Sequence, residues 1–190
     1  GMGREFVRQL GGYVSVDEIW AVARRASALE TLKAETSVPV RPIVLDLLEE
    51  SSFTELEALL GAEKPNVRLL VNAAGFGKFG AYRKIPVEDD CRMIDLNCKA
   101  LLLMTRLCVP YMQPGSHILE LDSLSAFQPV PYITTYAATK AFVLSYSRAM
   151  NRELKAQGIR VMAMNPGWVK TEFFNHAFQT NADNEVRYFN

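Results

Sequence analysis

The chain has no surplus of charge: 21 Lys and Arg residues balance 21 Asp and Glu over 190 positions. No long run of one sign occurs, which argues against nucleic acid or an anionic membrane surface as the main partner. Long hydrophobic runs are missing too. None approaches the roughly 18 residues of a membrane span, and Gly1-Met-Gly-Arg-Glu-Phe6 lacks the apolar centre of a secretory signal. Cysteine and histidine are scarce. Cys91, Cys98 and Cys108 fall in one helical region, an odd count in a composition unlike that of a small stapled scaffold, so a disulfide framework is not expected. Cys91 and Cys98 could share a helix face, but His117 and His176 lie elsewhere. The expectation is therefore buried, reduced thiols, no metal, and a reducing, cytoplasmic setting. Internal repeats and low-complexity segments are absent.

What is present is a hydrophobic content of 49%, enough for a real core, in a length that suits one domain. Strand and helix signals alternate from end to end. Strands are expected at Glu18–Ala23, Pro42–Asp46, Val67–Val71, His117–Leu121 and Ile159–Met164. Helices are expected at Arg4–Leu10, Arg24–Lys33, Phe53–Leu60, Val87–Met112 and Thr135–Gln157. Ser51 and Ser52 are candidate caps of the third helix, and Gly158 is placed to end the last. The strands are near-continuous apolar runs, as a parallel sheet covered on both faces requires. The fold class is thus α/β, a doubly wound parallel sheet with helices on both faces. Ligands of such sheets bind beyond the carboxyl ends of the strands. Asn72-Ala-Ala-Gly75, Ser123 and Pro166-Gly167 each follow a strand there.

Tyr136 and Lys140 are spaced i, i+4, so they share one face of their helix. A nearby cation favours phenolate over phenol and lowers a Tyr pKa from about 10. A Tyr tuned in this way can act as a general acid/base. Ser123 would add a second hydroxyl from a strand end, and the trio suits proton transfer to or from a carbonyl or alcohol oxygen. Each residue also has a plainer reading: a surface pair for Tyr136 and Lys140, a helix cap for Ser123, and a solvated helix side chain for Asn97.

Taken together these residues resemble the short-chain dehydrogenase/reductase family over nearly the whole chain, from Gly1 to about Phe174. Asn72-Ala-Ala-Gly75 resembles the segment after that family's fourth strand, and Asn97 its helix asparagine. Ser123, Tyr136 and Lys140 match its catalytic residues in type and spacing. Asn165-Pro-Gly-Trp-Val-Lys-Thr171 resembles its segment near the nicotinamide. The resemblance implies a Rossmann-type fold and a nicotinamide cofactor held by Gly1, Met2, Gly3, Asn72, Ala73, Ala74, Gly75, Tyr136, Lys140, Pro166, Gly167, Val169 and Thr171. Asp46 and Leu47 would lie beside the adenine. It further implies that Tyr136 transfers the proton and that Lys140 lowers its pKa and bonds the nicotinamide ribose. Ser123 would polarise the substrate oxygen, and Asn97 would anchor a relay water.

About 20 residues past the glycine loop, an acid would bond the ribose 2′-OH and an Arg would accommodate a 2′-phosphate. Here the stretch is Ala23-Arg24-Arg25, so NADP is favoured over NAD. Leu124, Phe127, Tyr132, Trp168, Phe173 and Phe174 are candidate pocket residues and suit a hydrophobic ketone or secondary alcohol. The apolar helices at 87–112 and 135–157 suit subunit contacts in a homodimer or homotetramer. The first strand and most of the glycine-rich loop are not recognisable, nor are the family's last helix and edge strand. The chain is therefore expected to be incomplete at both ends, with two sheet halves facing each other across a gap. The rival to an enzyme is a catalytically inactive dinucleotide-binding regulatory or scaffold module.

Overall fold

The computed structural model describes residues 1–169, 171–173 and 177. The chain opens with helix α1 (Met2–Leu10) and then alternates: β1 (Ile19–Ala23), α2 (Ala26–Lys33), β2 (Val40–Val44), α3 (Glu50–Glu63) and β3 (Leu69–Asn72). Next comes one long helical stretch, divided into α4 (Val87–Ile94), a π-helical segment (Asp95–Ala100) and α5 (Leu101–Cys108). Strand β4 (His117–Leu121), helix α6 (Thr134–Glu153) and strand β5 (Arg160–Met164) complete the order.

Among the described residues the strands form two parallel sheets, β1-β2 and β3-β4-β5. Strand β1 is in register with β2 from Ile19 opposite Val40 to Ala23 opposite Val44. In the larger sheet, His117 of β4 lies opposite both Leu69 and Arg160. Strands β1 and β3 are not bonded to each other, and residues of both line one cleft. This is the expected division into two halves.

Side chains, rather than a shared ladder, join the halves. One core cluster holds Ile43 and Leu45 from the β2 side, Leu56 and Leu60 from α3, Leu70 of β3, Met104 and Cys108 of α5, Ile118 of β4 and Val161 of β5. Each such side chain, fully buried, contributes about 1.5–3 kcal/mol. Spacing explains α3: Leu56 and Leu60 are one turn apart and face the core together.

The two reversals at the amino ends of β4 and β5 interlock. Gly158 has φ +72°, a conformation L side chains rarely adopt. A Cβ there would sit 2.9 Å from the Pro114 Cβ. The Gly115 amide donates to the Gly158 carbonyl at 2.8 Å, and Arg160 N to the Ser116 carbonyl at 3.1 Å. Gly158 thus ends the helical run as its sequence position implies.

Three expectations need correction. Ser51 and Ser52 lie inside α3, which begins at Glu49 as N-cap, and Ser52 is buried. The 87–112 region is not one regular helix, because the π segment interrupts it. Cys91 is exposed, whereas Cys108 is buried and Cys98 intermediate; all three are free thiols. Burial pushes the Cys98 and Cys108 thiols up to about 11, away from thiolate chemistry.

Candidate active site

The carboxyl ends of the strands open onto a cleft of about 1750 Å³ between the two half-sheets. Gly1, Met2 and Gly3 reach it from the start of α1, Arg24 and Arg25 from the end of β1, and Asp46 and Leu47 from beyond β2. Asn72, Ala73, Ala74 and Gly75 reach it from β3. Ser123 comes from beyond β4, Tyr136 and Lys140 from α6, and Pro166, Gly167, Val169 and Thr171 from beyond β5. Every residue the sequence proposed for a cofactor therefore lines this one cavity. Asn97 does not line it; it stands behind the Gly75–Phe76 backbone.

The cleft suits an anionic dinucleotide. The amino end of helix α1, which carries no side-chain cap, lines the cavity, and such an end favours an anion. A side chain at Gly3 would meet the Ala73 Cβ at 3.2 Å, so the start of α1 lies close against the segment after β3. Arg24 and Arg25 supply exposed guanidinium groups, paired at 3.6 Å with Asp46 and at 3.7 Å with Glu172. Asp46 is further engaged by the Leu48 amide at 3.0 Å.

Tyr136, Ser123 and Lys140 meet where β4 ends. Ser123 has extended backbone and caps a short 3-10 turn at Leu124–Phe127, its hydroxyl accepting from Ser125 N at 3.2 Å. The Ser125 hydroxyl also donates to it at 3.0 Å. The cap reading is thus realised, and Ser123 also lines the cleft that Tyr136 and Lys140 line. The Lys140 side chain is 6% exposed, and its ammonium donates to the Leu121 carbonyl at 2.7 Å. Its Nζ stands 5.7 Å from the centroid of the Tyr136 ring.

The electrostatics differ from the simple lysine-lowers-tyrosine expectation. Burial pushes the Tyr136 phenol up to about 12, the nearby Ser123 hydroxyl opposes that rise, and the Asp122 charge adds to it. Burial pulls Lys140 down to about 8, opposed by Asp122, Cys98 and Glu120 in that order. Lys140 is held at β4 rather than at the phenol oxygen, so desolvation governs Tyr136.

Asn97 is no solvated helix residue: it is 1% exposed. Its Nδ2 donates to the Phe76 carbonyl at 2.9 Å and to the Thr139 hydroxyl at 3.1 Å. Thr139 in turn donates to the Tyr136 carbonyl at 2.7 Å. A Cβ at Gly75 would approach the Asn97 Oδ1 to 3.0 Å, a tight contact that Asn97 would have to yield to.

An aromatic group stands over Tyr136. Phe79 packs edge-on against the Tyr136 ring at 5.6 Å between centroids and against Trp168 at 6.4 Å. Phe173 lies 5.6 Å from Tyr136 and 6.0 Å from Phe79. Of the proposed pocket residues, Phe173 and Trp168 join this group, and Leu124 lies beside Gly167, 3.3 Å from a Cβ built there. Phe127 does not; it lies beneath the Arg148 guanidinium at 5.8 Å. Tyr132 sits at a left-handed position, φ +65°, its carbonyl accepting from Gly80 N at 2.8 Å. Phe174 lies outside the described residues.

Sequence reasoning passed over Phe79, Gly77, Glu120 and Asp122. Glu120 is 0% exposed and accepts from the Thr105 hydroxyl at 3.0 Å; burial pushes it up to about 7. Asp122 is 2% exposed and is pushed up by burial to about 6. An acidic residue in an otherwise apolar strand, as in His117-Ile-Leu-Glu-Leu121, was the available signal.

This fold and site define a class: the chain belongs to the short chain dehydrogenase family, whose family model matches residues 1–182. Its sheet-and-helix arrangement is the Rossmann-type α/β fold of that family. Among particular relatives, it is 36% identical over 167 residues to the NADP-dependent 3-hydroxy acid dehydrogenase of Escherichia coli, covering 85% of this chain and 67% of that protein. It is 28% identical over 185 residues to a probable short-chain type dehydrogenase/reductase of Helicobacter pylori, covering 95% of this chain and 66% of that protein. A serine dehydrogenase solved in its closed form with NADP+ superposes with a TM-score of 0.79 at 33% identity, covering 93% of this chain and 70% of that one. A short-chain dehydrogenase from Sphingobium yanoikuyae, solved with NADPH, superposes with a TM-score of 0.78 at 29% identity, covering 93% and 68%. The chain spans about two thirds of the length of the curated relatives it matches.

Proposed function

We propose that this chain carries the active site of an NADP-dependent oxidoreductase that interconverts a hydrophobic ketone and a secondary alcohol. The observation that carries this reading is the meeting of Ser123, Tyr136 and Lys140 at the end of β4, on the wall of the cleft that Arg24 and Arg25 also line. The NADP dependence of the Escherichia coli relative supports the cofactor, and the aromatic group of Phe79, Trp168 and Phe173 supports an apolar substrate.

In this reading the bound nicotinamide supplies or takes the hydride. Tyr136 gives its phenolic proton to the carbonyl oxygen in the reductive direction and takes it back in the oxidative one. Burial keeps its phenol protonated at neutral pH, so the proton is in place for the reductive direction. Ser123 fixes the phenol and offers a hydroxyl to the same substrate oxygen. Lys140, cationic near neutrality, stabilises negative charge that develops there. Arg24 and Arg25 would hold the 2′-phosphate of the cofactor through their charge and several N–H donors. Exposed apolar residues on the two long helical runs, Val87, Ile94 and Phe142, suit a homodimeric or homotetrameric contact, and the setting is read as cytoplasmic.

Tyr136→Phe tests the reading. Turnover of a screened panel of aryl and alkyl ketones with NADPH should fall at least about 100-fold, while NADPH binding by fluorescence titration stays within about threefold. Turnover that survives the substitution would overturn the mechanism.

A further inference from the structure

We propose that Glu120 is held as the neutral carboxylic acid and that its proton sets the hydrogen-bond chain Glu120–Thr105–Asn72. Glu120 is thereby a positioning residue for the segment Asn72–Gly75 on the wall of the cleft. The proposal rests on the reading of that cleft as a cofactor site only for its bearing on function.

The chain of bonds crosses three elements. Asn72 ends β3, and Glu120 of β4 stands directly opposite it in the parallel register. Thr105 meets both from α5 and is fully buried. The Asn72 Nδ2 donates to the Thr105 hydroxyl oxygen at 3.0 Å. That oxygen lies 3.0 Å from the Glu120 Oε1 and 2.9 Å from the Leu101 carbonyl oxygen. On the β5 side Glu120 stands opposite Ala163, which has no side-chain donor to offer. The second carboxyl oxygen, Oε2, is buried with no hydrogen-bond partner.

The proton count fixes the charge. Were Glu120 ionised it could only accept, and the single Thr105 proton would have to serve both Glu120 and Leu101. Oε2 would also be part of a buried charge with no donor, which is costly. A proton on Glu120 removes both difficulties. The Glu120 O–H donates to Thr105, and the Thr105 O–H donates to Leu101. The two lone pairs of the Thr105 oxygen are then filled, one by Glu120 and one by Asn72. Oε2 is left as a neutral carbonyl oxygen, whose burial costs far less. The titratable groups around Glu120 are Lys140 and Tyr146 of α6 and Cys108 of α5; β3 and β5 face it with Asn72 and Ala163. Of these, Lys140 alone favours the carboxylate, and its ammonium is already bonded to the Leu121 carbonyl at 2.7 Å. Burial, the larger influence, raises the Glu120 carboxyl. Loss of its proton would swing the Thr105 O–H from Leu101 to Glu120 and turn the lone pair away from Asn72. The segment that Asn72 leads into would then lose an anchor.

Two titrations by NMR test this. In unaltered protein labelled with 13Cδ-glutamate, one carboxyl should titrate about two pH units or more above the ordinary glutamate value, roughly a hundredfold in proton affinity. That resonance should be the one lost in Glu120→Gln. The proposal is overturned if every glutamate ionises near the ordinary value of about 4.3, or if the raised resonance persists in Glu120→Gln. In protein labelled with 15N-asparagine, the Asn72 side-chain amide, assigned by its loss in Asn72→Asp, should shift with the same midpoint as that carboxyl. The shift should vanish in Glu120→Gln, whose amide can donate to Thr105 at any pH. An Asn72 amide that stays flat through the midpoint, or that titrates unchanged in Glu120→Gln, would overturn the positioning role. The first titration needs no variant to fold. Neither uses substrate or cofactor, so a failure here is distinct from a failure of the Tyr136→Phe experiment.

Discussion

Asn97 grips Phe76 by both ends of its peptide face: the Phe76 amide donates to the Asn97 Oδ1 at 3.1 Å, and the Asn97 Nδ2 donates to the Phe76 carbonyl at 2.9 Å. A side-chain amide can do both, being acceptor and donor in one plane. This pair fixes the loop after β3, and through Thr139 it reaches the backbone of Tyr136.

Asn97→Leu, nearly isosteric, should therefore leave the Phe76 amide and carbonyl unpaired. Each buried group left so costs about 1–3 kcal/mol. We expect a loss of about 2–4 kcal/mol in urea denaturation, with a slope close to that of the unaltered protein. An unchanged midpoint would show that water replaces the side chain.

Gly77 lies in close contact with the aromatic group. A Cβ there would lie 2.9 Å from the Phe79 Cε1, 2.9 Å from the Tyr136 Cδ2 and 3.0 Å from the Phe173 Cζ. Three rings cannot all give way, so Gly77→Ala should cost about 1–3 kcal/mol by overpacking. It should also displace the Tyr136 ring. In steady-state kinetics kcat should fall several-fold more than NADPH affinity does.

Glu120 makes stability depend on pH. Its carboxyl is raised to about 7 by burial, so the fold binds that proton more tightly than the unfolded chain does. The associated stabilisation is present below the unfolded value of about 4.3 and is lost as pH rises through about 7. Glu120→Gln keeps an acceptor for Thr105 and has no charge to bury. The variant should gain stability relative to the unaltered protein between pH 5 and pH 8, on the order of 2 kcal/mol. Thermal melts across that range check it, and a constant difference would exclude Glu120 as the titrating group.

Arg25 tests the cofactor. Arg25→Ala should weaken NADPH binding about tenfold or more and leave NADH binding within about twofold, because only NADPH carries the 2′-phosphate. Fluorescence titration with both cofactors decides it. Equal losses would place the arginine away from that phosphate.

The parts of this molecule that were legible in the sequence are those set by local chemistry. Five apolar runs gave five strands, and Gly158 marked a helix end because few residues accept its conformation. Tyr136 and Lys140 share a helix face by spacing alone. What was hidden depends on partners distant in the chain. Ser51 and Ser52 look like caps, yet tertiary burial of Ser52 carries the helix past them to Glu49. The π segment at Asp95–Ala100 leaves no composition signal, and Phe79 reads as one more apolar residue until Tyr136 and Phe173 fold against it. The direction of the Tyr136 shift was missed for the same reason, since the depth of burial is not written in an i, i+4 spacing.

The interlocked reversals at Pro114–Gly115 and Gly158 act as a common datum for measurement. From that knot β4 and β5 run side by side for five residues each, from His117 opposite Arg160 to Leu121 opposite Met164. They therefore finish level, one delivering Asp122 and Ser123 and the other Asn165. At about 3.3 Å per residue the far ends are some 16 Å away. The alignment of Ser123 with Asn165 is thus gauged from the opposite rim of the sheet. A side chain forced in at Gly158 would be felt as a misreading of that length at the Ser123 end of the sheet.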